Sequence, residues 1–543
     1  MVSHTVRVFL TNPPLNMAET PLQYHRPLVP LGLGYLGAVL EQHYSDGRWE
    51  EYVRDRLAAR RERGYEPSGI VAAQDNMLRS FYGKYDFDQL RERIGEHARG
   101  CPPDKLFIGF SVLSDGMQYA RPILRRLRTE FPLANFMVGG PHATFFPYDF
   151  YERPESREGP LADYIVRNEG ENAILGIVGG ALERESDLKL NYAQYGVDLS
   201  GCDYTDPEYR IIDGGQYGAN SDRVGLRVLD QLPVPAYFLF EEEGRLPYEP
   251  DRRYQLDAPA ANINSSRGCP HGCTFCTIPM LAPGYRTLSP MRMMDIAKFL
   301  VIDYGVKSLF FREDNFMYSG GKLEGDRWAD VEEFCGLIRD EGLRLRWAIE
   351  ARADNLLQPA NSGPTRIDVM QRAGLKGIYI GIESGSALML KLYAKGAKVS
   401  DMNQAVKACV DRKVAIVATT CYSDPDLALR SHYPLIDLKN NRYRADIFRQ
   451  RETILQETRA FMDAHAIPLN RREEYVMCGI PVSTMYRLLD REREQFPALV
   501  EYYDPQTRYI YPKGFAWWSG KLYDTARRVR PYLGYDYSPP GAE

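Results

Sequence analysis

Three cysteines, Cys269, Cys273 and Cys276, stand at C-x-x-x-C-x-x-C spacing. Thiolates at that spacing can each bind one iron of a 4Fe–4S cluster and leave the fourth iron without a protein ligand. An open iron is a place for a substrate or cofactor to bind. Gly268, Pro270 and Gly272 suit a loop that curls around such a cluster, because glycine permits backbone angles that other residues avoid. Arg267 is placed to offset the charge of a thiolate-bound cluster. Phe275, just before the third cysteine, can pack against a flat ring.

Other readings of the same residues fit less well. Three ordinary thiols so close together would be unusual. His271 could complete a Cys3His zinc site, but zinc ligands more often come as separated C-x-x-C pairs. A ferredoxin-type cluster needs a fourth cysteine at a set offset, and the next one, Cys335, lies far downstream in a predicted helix. The open-iron reading is preferred.

Elements must position that loop. The chain has 543 residues, 44% hydrophobic and 26% charged, which is ordinary for a globular protein and suits about three domains. A net charge of −5 gives no sign of a polyanion, so no nucleic-acid partner is expected. No apolar run reaches the length of a membrane span, and no membrane partner is expected. Residues 1–5 lack a basic region followed by an apolar core, so no secretion signal is expected. The 9 cysteines are odd in number and too few for a disulfide scaffold, which makes a reducing cytoplasm the expected compartment.

Over residues 1–195 the pattern predicts strands at 6–10, 70–73, 105–111, 135–138 and 164–166. Helices are predicted at 31–43, at 88–98 and through 128. Such alternation implies an α/β fold with a doubly wound parallel sheet. Ligands of such sheets bind outside the carboxyl ends of the strands. Those ends carry Thr11, Asn12, Ser111, Leu113, Ser114, Gly139, Gly140, Glu169 and Gly170, small or polar residues for the most part, which let a large ligand approach the backbone. Gly32-Leu33-Gly34-Tyr35-Leu36-Gly37 matches G-x-G-x-x-G. The dinucleotide fingerprint requires those glycines directly after the first strand, whereas about twenty residues intervene here.

Residues 196–258 show little periodicity and read as a linker. Over 259–430 strand–helix units resume, with helices at 291–304, 327–341, 367–373 and 401–411 and strands at 308–311, 346–350, 377–382 and 414–419. That is the order of a parallel barrel, whose chemistry collects at strand ends. Glu313 and Asp314 stand there as acceptors for an amino group or ribose, and Arg352 offers a planar fork that suits a carboxylate. Glu383 and Ser384 end the next strand. Residues 431–543 read as a cap or substrate region, with an amphipathic helix around Ile454, Phe461 and Met462, a second around 485–489, and a Tyr/Trp-rich end.

The cysteine motif, with its aromatic before the last cysteine, resembles that of the radical S-adenosylmethionine enzymes. Residues 30–36 (Pro-Leu-Gly-Leu-Gly-Tyr-Leu), 138–144 (Val-Gly-Gly-Pro-His-Ala-Thr), 229–237 and 264–276 resemble the cobalamin-binding branch of that family, and 381–386 (Gly-Ile-Glu-Ser-Gly-Ser) resembles another of its elements. The resemblance covers roughly residues 1–425, about four fifths of the chain. It fades after Val414, where the family usually has a Gly-x-Pro-Gly-Glu loop and this chain has Cys421-Tyr422-Ser423-Asp424-Pro425-Asp426; residues 478–484 are a looser echo.

The resemblance implies a Rossmann-like cobalamin-binding domain over 1–195, a partial (β/α)6 barrel over 259–430 and a mainly helical C-terminal region. It implies that S-adenosylmethionine chelates the open iron through its amino and carboxylate groups, near Phe275, Glu313, Arg352, Glu383 and Ser384. Cobalamin is expected at the strand-end residues of the first domain. An electron from a donor such as flavodoxin or ferredoxin splits S-adenosylmethionine to a 5′-deoxyadenosyl radical. The radical takes a hydrogen from an unactivated carbon of a small-molecule substrate, and methylcobalamin donates a methyl group. No Asp-x-His-x-x-Gly is present; Asp463-Ala464-His465 comes nearest, in the wrong domain, so no histidine below the cobalt is expected. No Ser–His–Asp set or paired general acid and base is expected. Ring contraction or cyclisation with the same cofactors is an alternative, as is a non-catalytic cobalamin or iron–sulfur sensor. A methylthiotransferase would need three further N-terminal cysteines, and only Cys101 and Cys202 precede the motif.

Overall fold

The computed structural model describes residues 6–14, 29–45, 47–58, 64–75, 86–154, 158–183, 211–215, 228–246, 248, 250–282, 284–318, 327–358, 360, 364–422, 451–467, 472–476, 500–503 and 510–512. The chain divides into two compact units. One comprises residues 1–220, 228–249 and 295–306, the other 221–227, 250–294 and 307–543.

Apolar runs such as Leu-Phe-Ile-Gly-Phe at 106–110 have no polar alternation, which suits a strand buried on both faces of a parallel sheet. In the first unit six strands form that sheet: β1 (Arg7–Thr11), β2 (Val71–Gln74), β3 (Leu106–Ser111), β4 (Asn135–Gly139), β5 (Tyr164–Arg167) and β6 (Ile211–Asp213). Their order is β2-β1-β3-β4-β5-β6, and every pairing is parallel. The order reverses between β1 and β3, the crevice where open α/β sheets take ligands. Helices α1 (Leu31–Tyr44), α2 (Arg48–Leu57), α3 (Phe87–His97), α4 (Met117–Glu130), α5 (Pro141–Phe145) and α6 (Glu171–Glu183) accompany it. In α4 the residues Ala120, Ile123, Leu124 and Leu127 recur at helical spacing and are buried. They join Phe9, Ile108, Phe110, Phe136, Val138 and Ile165 of the sheet in one core. Each such large side chain contributes about 2 kcal/mol by leaving water.

The expected strands and helices of this unit fall where they were read, within about two residues at either end. Several elements were not foreseen, among them the 5-residue helix α5. Helix α2 buries only Trp49, Tyr52 and Val53 among charged residues, too few to show a period. Helix α6 follows β5. Strand β6 lies inside 196–258, the stretch expected as a linker, and is only 3 residues long, below the length at which alternation becomes visible. The same stretch contributes 3-10 turns at Val228–Gln231 and Tyr237–Phe240, which bury Leu229, Tyr237 and Phe240. The G-x-G-x-x-G stretch lies within α1. A Cβ on Gly37 would stand 2.3 Å from Leu239 Cδ1, and one on Gly34 3.4 Å from Pro235 Cβ. Those glycines serve helix packing and form no phosphate turn.

In the second unit β7 (Ala260–Ile263), β8 (Ser308–Phe311), β9 (Arg346–Arg352), β10 (Leu375–Glu383), β11 (Ala415–Tyr422) and β12 (Arg472–Val476) form a parallel sheet in strict sequential order. Helices α7 (Arg327–Asp340), α8 (Arg366–Arg372), α9 (Ala387–Leu392), α10 (Val399–Asp411) and α11 (Arg451–Ala464) belong to this unit, and helix Pro290–Tyr304 precedes β8. This is the six-unit βα order of the expected partial barrel. Its first strand, β7, is fully buried and was not foreseen. Its sixth, β12, comes from beyond residue 430, after α11 has intervened. The C-terminal stretch also carries a hairpin, Val500–Tyr503 with Ile510–Pro512. The helix expected around 485–489, the 478–484 echo and the Tyr/Trp-rich end lie outside the described residues. Among the described residues no helix is long and apolar enough to cross a membrane.

Candidate functional site

Strand β7 runs directly into the cysteine loop. Ser266–Arg267 pairs antiparallel with Arg286–Thr287, which ties the loop's entry to its exit. Glu313, at the end of β8, clamps that entry: its carboxylate accepts from the Ser265 N–H and the Ser266 hydroxyl. Arg327 donates to the Ser265 hydroxyl at 2.6 Å. Glu313 is 4% exposed. Burial raises its pKa, with Arg327 and the two serines working the other way. Expected to receive an amino group or ribose, Glu313 instead carries the loop's own donors. Asp314 beside it is exposed and accepts from the Gly268 N–H at 3.2 Å.

Gly268 has φ +86, and a Cβ there would lie 2.4 Å from the carbonyl oxygens of both Ala282 and Gly284. Only glycine fits that bend. The three cysteines are free thiols, all partly exposed. The Cys276 N–H donates to the Cys273 carbonyl at 3.1 Å, which keeps the C-x-x-C segment as a tight turn. Burial pushes the Cys269 thiol up to about 11 and the Cys276 thiol up to about 12, so a positive metal centre is what would ionise them. Burial lowers His271 to about 4, leaving a neutral ring whose edge meets Tyr318 at 5.5 Å. Among the described residues no three His, Cys, Asp or Glu side chains converge as on a single metal ion. Phe275 meets Tyr393 edge-on at 5.3 Å, and Thr274 N–H donates to the Tyr393 carbonyl at 3.0 Å, so the loop is also held by the segment after α9.

The remaining strand ends gather around Cys273. Arg352, the last residue of β9, grips Asp354 through Nε at 3.1 Å and Nη2 at 3.0 Å. Its Nη2 also donates to the Lys395 carbonyl, and its Nη1 lies 4.0 Å from Cys273 Sγ. Glu383 closes β10 at φ +62, where the ladder to β11 shifts register. Its carboxylate takes Lys395 Nζ at 2.8 Å and the Cys421 thiol at 3.1 Å. Burial works against the Lys395 charge, and Glu383 together with Cys273 outweighs it, holding the ammonium above the usual lysine value. Ser384, 1% exposed, shares a hydrogen bond with Thr458 of α11 at 3.1 Å, and the Gly385 N–H donates to Thr458 Oγ1 at 3.0 Å. A Cβ on Gly385 would stand 2.6 Å from the Glu457 carbonyl oxygen, so α11 sits directly on this loop. Lys395, Cys421, Asp354 and Thr458 were not foreseen; Asp354 is a near neighbour of Arg352 in sequence, and the others meet the site only through the fold.

In the first unit the ends of β3, β4 and β5 form a rim. Ser111, Leu113, Ser114, Gly139, Gly140, Glu169 and Gly170 are all partly exposed there. Thr11 and Asn12 are buried instead, Thr11 bonded to the Gln74 carbonyl at 3.0 Å and Asn12 to Asp75 at 3.0 Å. They tie β1 to the end of β2, and Thr11 stands beside Phe110 of β3. Gly140 has φ +90, and a Cβ there would stand 2.9 Å from the Val112 nitrogen, which lets β3 and β4 end side by side. A Cβ on Gly170 would press on Leu36 at 3.1 Å. His142 is fully buried, its Nδ1 at 3.0 Å from Ser114 Oγ and its Nε2 at 3.3 Å from Asp149.

A sequential parallel sheet whose first strand opens into a three-cysteine loop is the frame of a radical S-adenosylmethionine domain, and residues 263–423 match the Radical SAM superfamily. The chain carries a domain of that superfamily. Over 306 residues it is 26% identical to an uncharacterized methyltransferase of Pyrococcus horikoshii, covering 56% of this chain and 57% of that protein. It is 24% identical over 318 residues to the anaerobic magnesium-protoporphyrin IX monomethyl ester cyclase of Cereibacter sphaeroides, covering 58% of this chain and 46% of that one. The chain thus spans about half the length of these curated relatives. Its fold is that of the cobalamin-dependent S-adenosylmethionine radical enzyme OxsB, solved with aqua-cobalamin and S-adenosylmethionine bound. The TM-score is 0.61 at 15% identity, over 97% of this chain and 67% of that one.

Proposed function

We propose that this chain is a cobalamin-dependent radical S-adenosylmethionine enzyme that methylates an unactivated carbon of a small molecule. The observation that carries the reading is the pairing, in one chain, of the Gly268–Cys276 loop on a sequential barrel sheet with a doubly wound sheet whose strand ends form an open, glycine-containing rim. Cys269, Cys273 and Cys276 hold the 4Fe–4S cluster. Phe275, Glu383 and Ser384 line the side toward S-adenosylmethionine. The rim residues Ser111, Leu113, Ser114, Gly139, Gly140, Glu169 and Gly170 hold cobalamin, and Thr11 and Asn12 brace the adjoining end of β1. When bound, these cofactors supply a reactive carbon radical and a transferable methyl group. The chain's own share is to position them and to exclude water, which Glu313 does by fixing the loop and α11 by packing on the Ser384–Gly385 turn. A small one-electron protein such as flavodoxin or ferredoxin supplies the electron, and a reducing cytoplasm keeps the three thiols available for iron.

The name of the Pyrococcus relative supports methyl transfer. The cyclase supports a second reading, ring formation with the same cofactors and no methyl transfer. Both would use a cobalamin site without a histidine below the metal, since the sequence has no Asp-x-His-x-x-Gly motif. The Co(II) form of the bound cofactor is therefore expected to show an electron paramagnetic resonance spectrum without superhyperfine splitting from a histidine nitrogen. Clear splitting, or no cobalamin binding at all, would refute the assignment of the first unit.

A further inference from the structure

We infer that Arg352 is a positioning residue for the cluster, holding the Cys273 thiolate and raising the cluster's reduction potential, and is not the partner of the S-adenosylmethionine carboxylate. The inference rests on the proposed cluster at Cys269, Cys273 and Cys276. A guanidinium has five N–H donors. In Arg352 the Nε and one Nη2 hydrogen form a fork on Asp354, at 3.1 Å and 3.0 Å. The second Nη2 hydrogen goes to the Lys395 carbonyl. Nη1 faces Cys273 Sγ at 4.0 Å. No parallel pair of donors remains, and bidentate recognition of a carboxylate needs one. The residue is 6% exposed, so neither end of this arrangement is free to swing into solvent.

The aim of the guanidinium is fixed from two directions. Asp354 comes from the turn that follows β9, and the Lys395 carbonyl from the loop after α9, whose ammonium is itself held by Glu383 at 2.8 Å. A Cβ on Gly396 would already stand 3.9 Å from Arg352 Nη2, so the loop wraps closely around it. A thiolate-ligated cluster becomes more negative when it takes up an electron. A buried cation and an N–H at one of its sulfurs favour that reduced state, since hydrogen bonds to sulfur, net charge and exposure set such potentials. In a poorly solvated site the effect is stronger than it would be in water.

The test is a redox titration of the reconstituted chain with dithionite as one-electron donor, following the cluster by electron paramagnetic resonance, together with the KM for S-adenosylmethionine. Arg352→Gln should keep its iron, lower the midpoint potential and leave that KM within about twofold of wild type, roughly 0.4 kcal/mol or less. Arg352→Lys, which keeps a cation without the fork, should fall between the two. If Arg352→Gln assembles no cluster, Arg352→Lys carries the test: full iron and a potential below wild type support the inference, and a potential equal to wild type overturns it. An unmoved potential in Arg352→Gln with a KM raised tenfold or more would assign the residue to the S-adenosylmethionine carboxylate and sink the inference. A wild-type chain that takes up no cluster would instead sink the reading of the site on which it rests.

Discussion

Replacing Cys269, Cys273 and Cys276 together with alanine is expected to abolish the brown chromophore and nearly all bound iron. On the proposed reading each thiolate would supply one corner of the cluster, and the fourth corner would have no protein ligand to compensate. The rest of the barrel should survive. Its six strands pair through backbone ladders that do not involve the loop, and the loop's entry is anchored through Ser265 and Ser266, which precede the first cysteine. Iron analysis and the visible spectrum decide the matter, with circular dichroism reporting the fold. A triple variant that still held about four irons per chain would show that the cluster, if any, sits elsewhere.

Gly268→Ala should come close to that loss with one added methyl group. The new Cβ would lie 2.4 Å from two carbonyl oxygens, those of Ala282 and Gly284, and the residue would have to keep φ +86. Left-handed backbone alone costs an alanine about 1–2 kcal/mol. The two clashes cannot be relieved by a side-chain rotation, because both partners are backbone. The loop must therefore open at the point where it turns toward Cys269, and iron content is expected to fall several-fold. Gly272→Ala is the matched control. Nothing lies within 4 Å of a Cβ at Gly272, and that variant should load iron as wild type does. Equal iron in the two variants would show that the bend at Gly268 does not position the cysteines.

That contrast marks the limit of what the residues alone disclose. Both glycines flank cysteines, and both suit a curled loop; which one is pressed against backbone depends on Ala282 and Gly284, and no local pattern reveals it. The cysteine spacing was legible because cluster geometry constrains it within one short loop. The long apolar strands β3, β4 and β10 were legible for a similar reason, since burial on both faces writes itself into consecutive residues. Strand β6 and the aromatic turns at 228–240 were hidden among prolines, glycines and tyrosines in a stretch without period. Glu313, Arg352 and Glu383 could be placed at strand ends, but their partners could not. Ser265 lies 48 residues from Glu313 and Lys395 lies 43 from Arg352, so those contacts exist only once the sheet has formed. Thr458 is further still from Ser384, 74 residues, and enters through a helix inserted before the sixth strand. The rim of the first unit shows the converse: Thr11 and Asn12 were read as ligand-facing, and their side chains are occupied by Gln74 and Asp75.

The central claim is tested most directly by one anaerobic incubation. The wild-type chain, reconstituted with iron, sulfide and methylcobalamin, is mixed with S-adenosylmethionine, a one-electron reductant and candidate small molecules, and the products are read by mass spectrometry. The account predicts release of 5′-deoxyadenosine together with a product heavier by one methyl group, both absent from the triple cysteine variant. Deoxyadenosine with a rearranged or cyclised product of unchanged methyl count would select the second reading. A chain that carries about four irons and bound cobalamin yet releases no deoxyadenosine with any candidate would contradict the claim that this site cleaves S-adenosylmethionine.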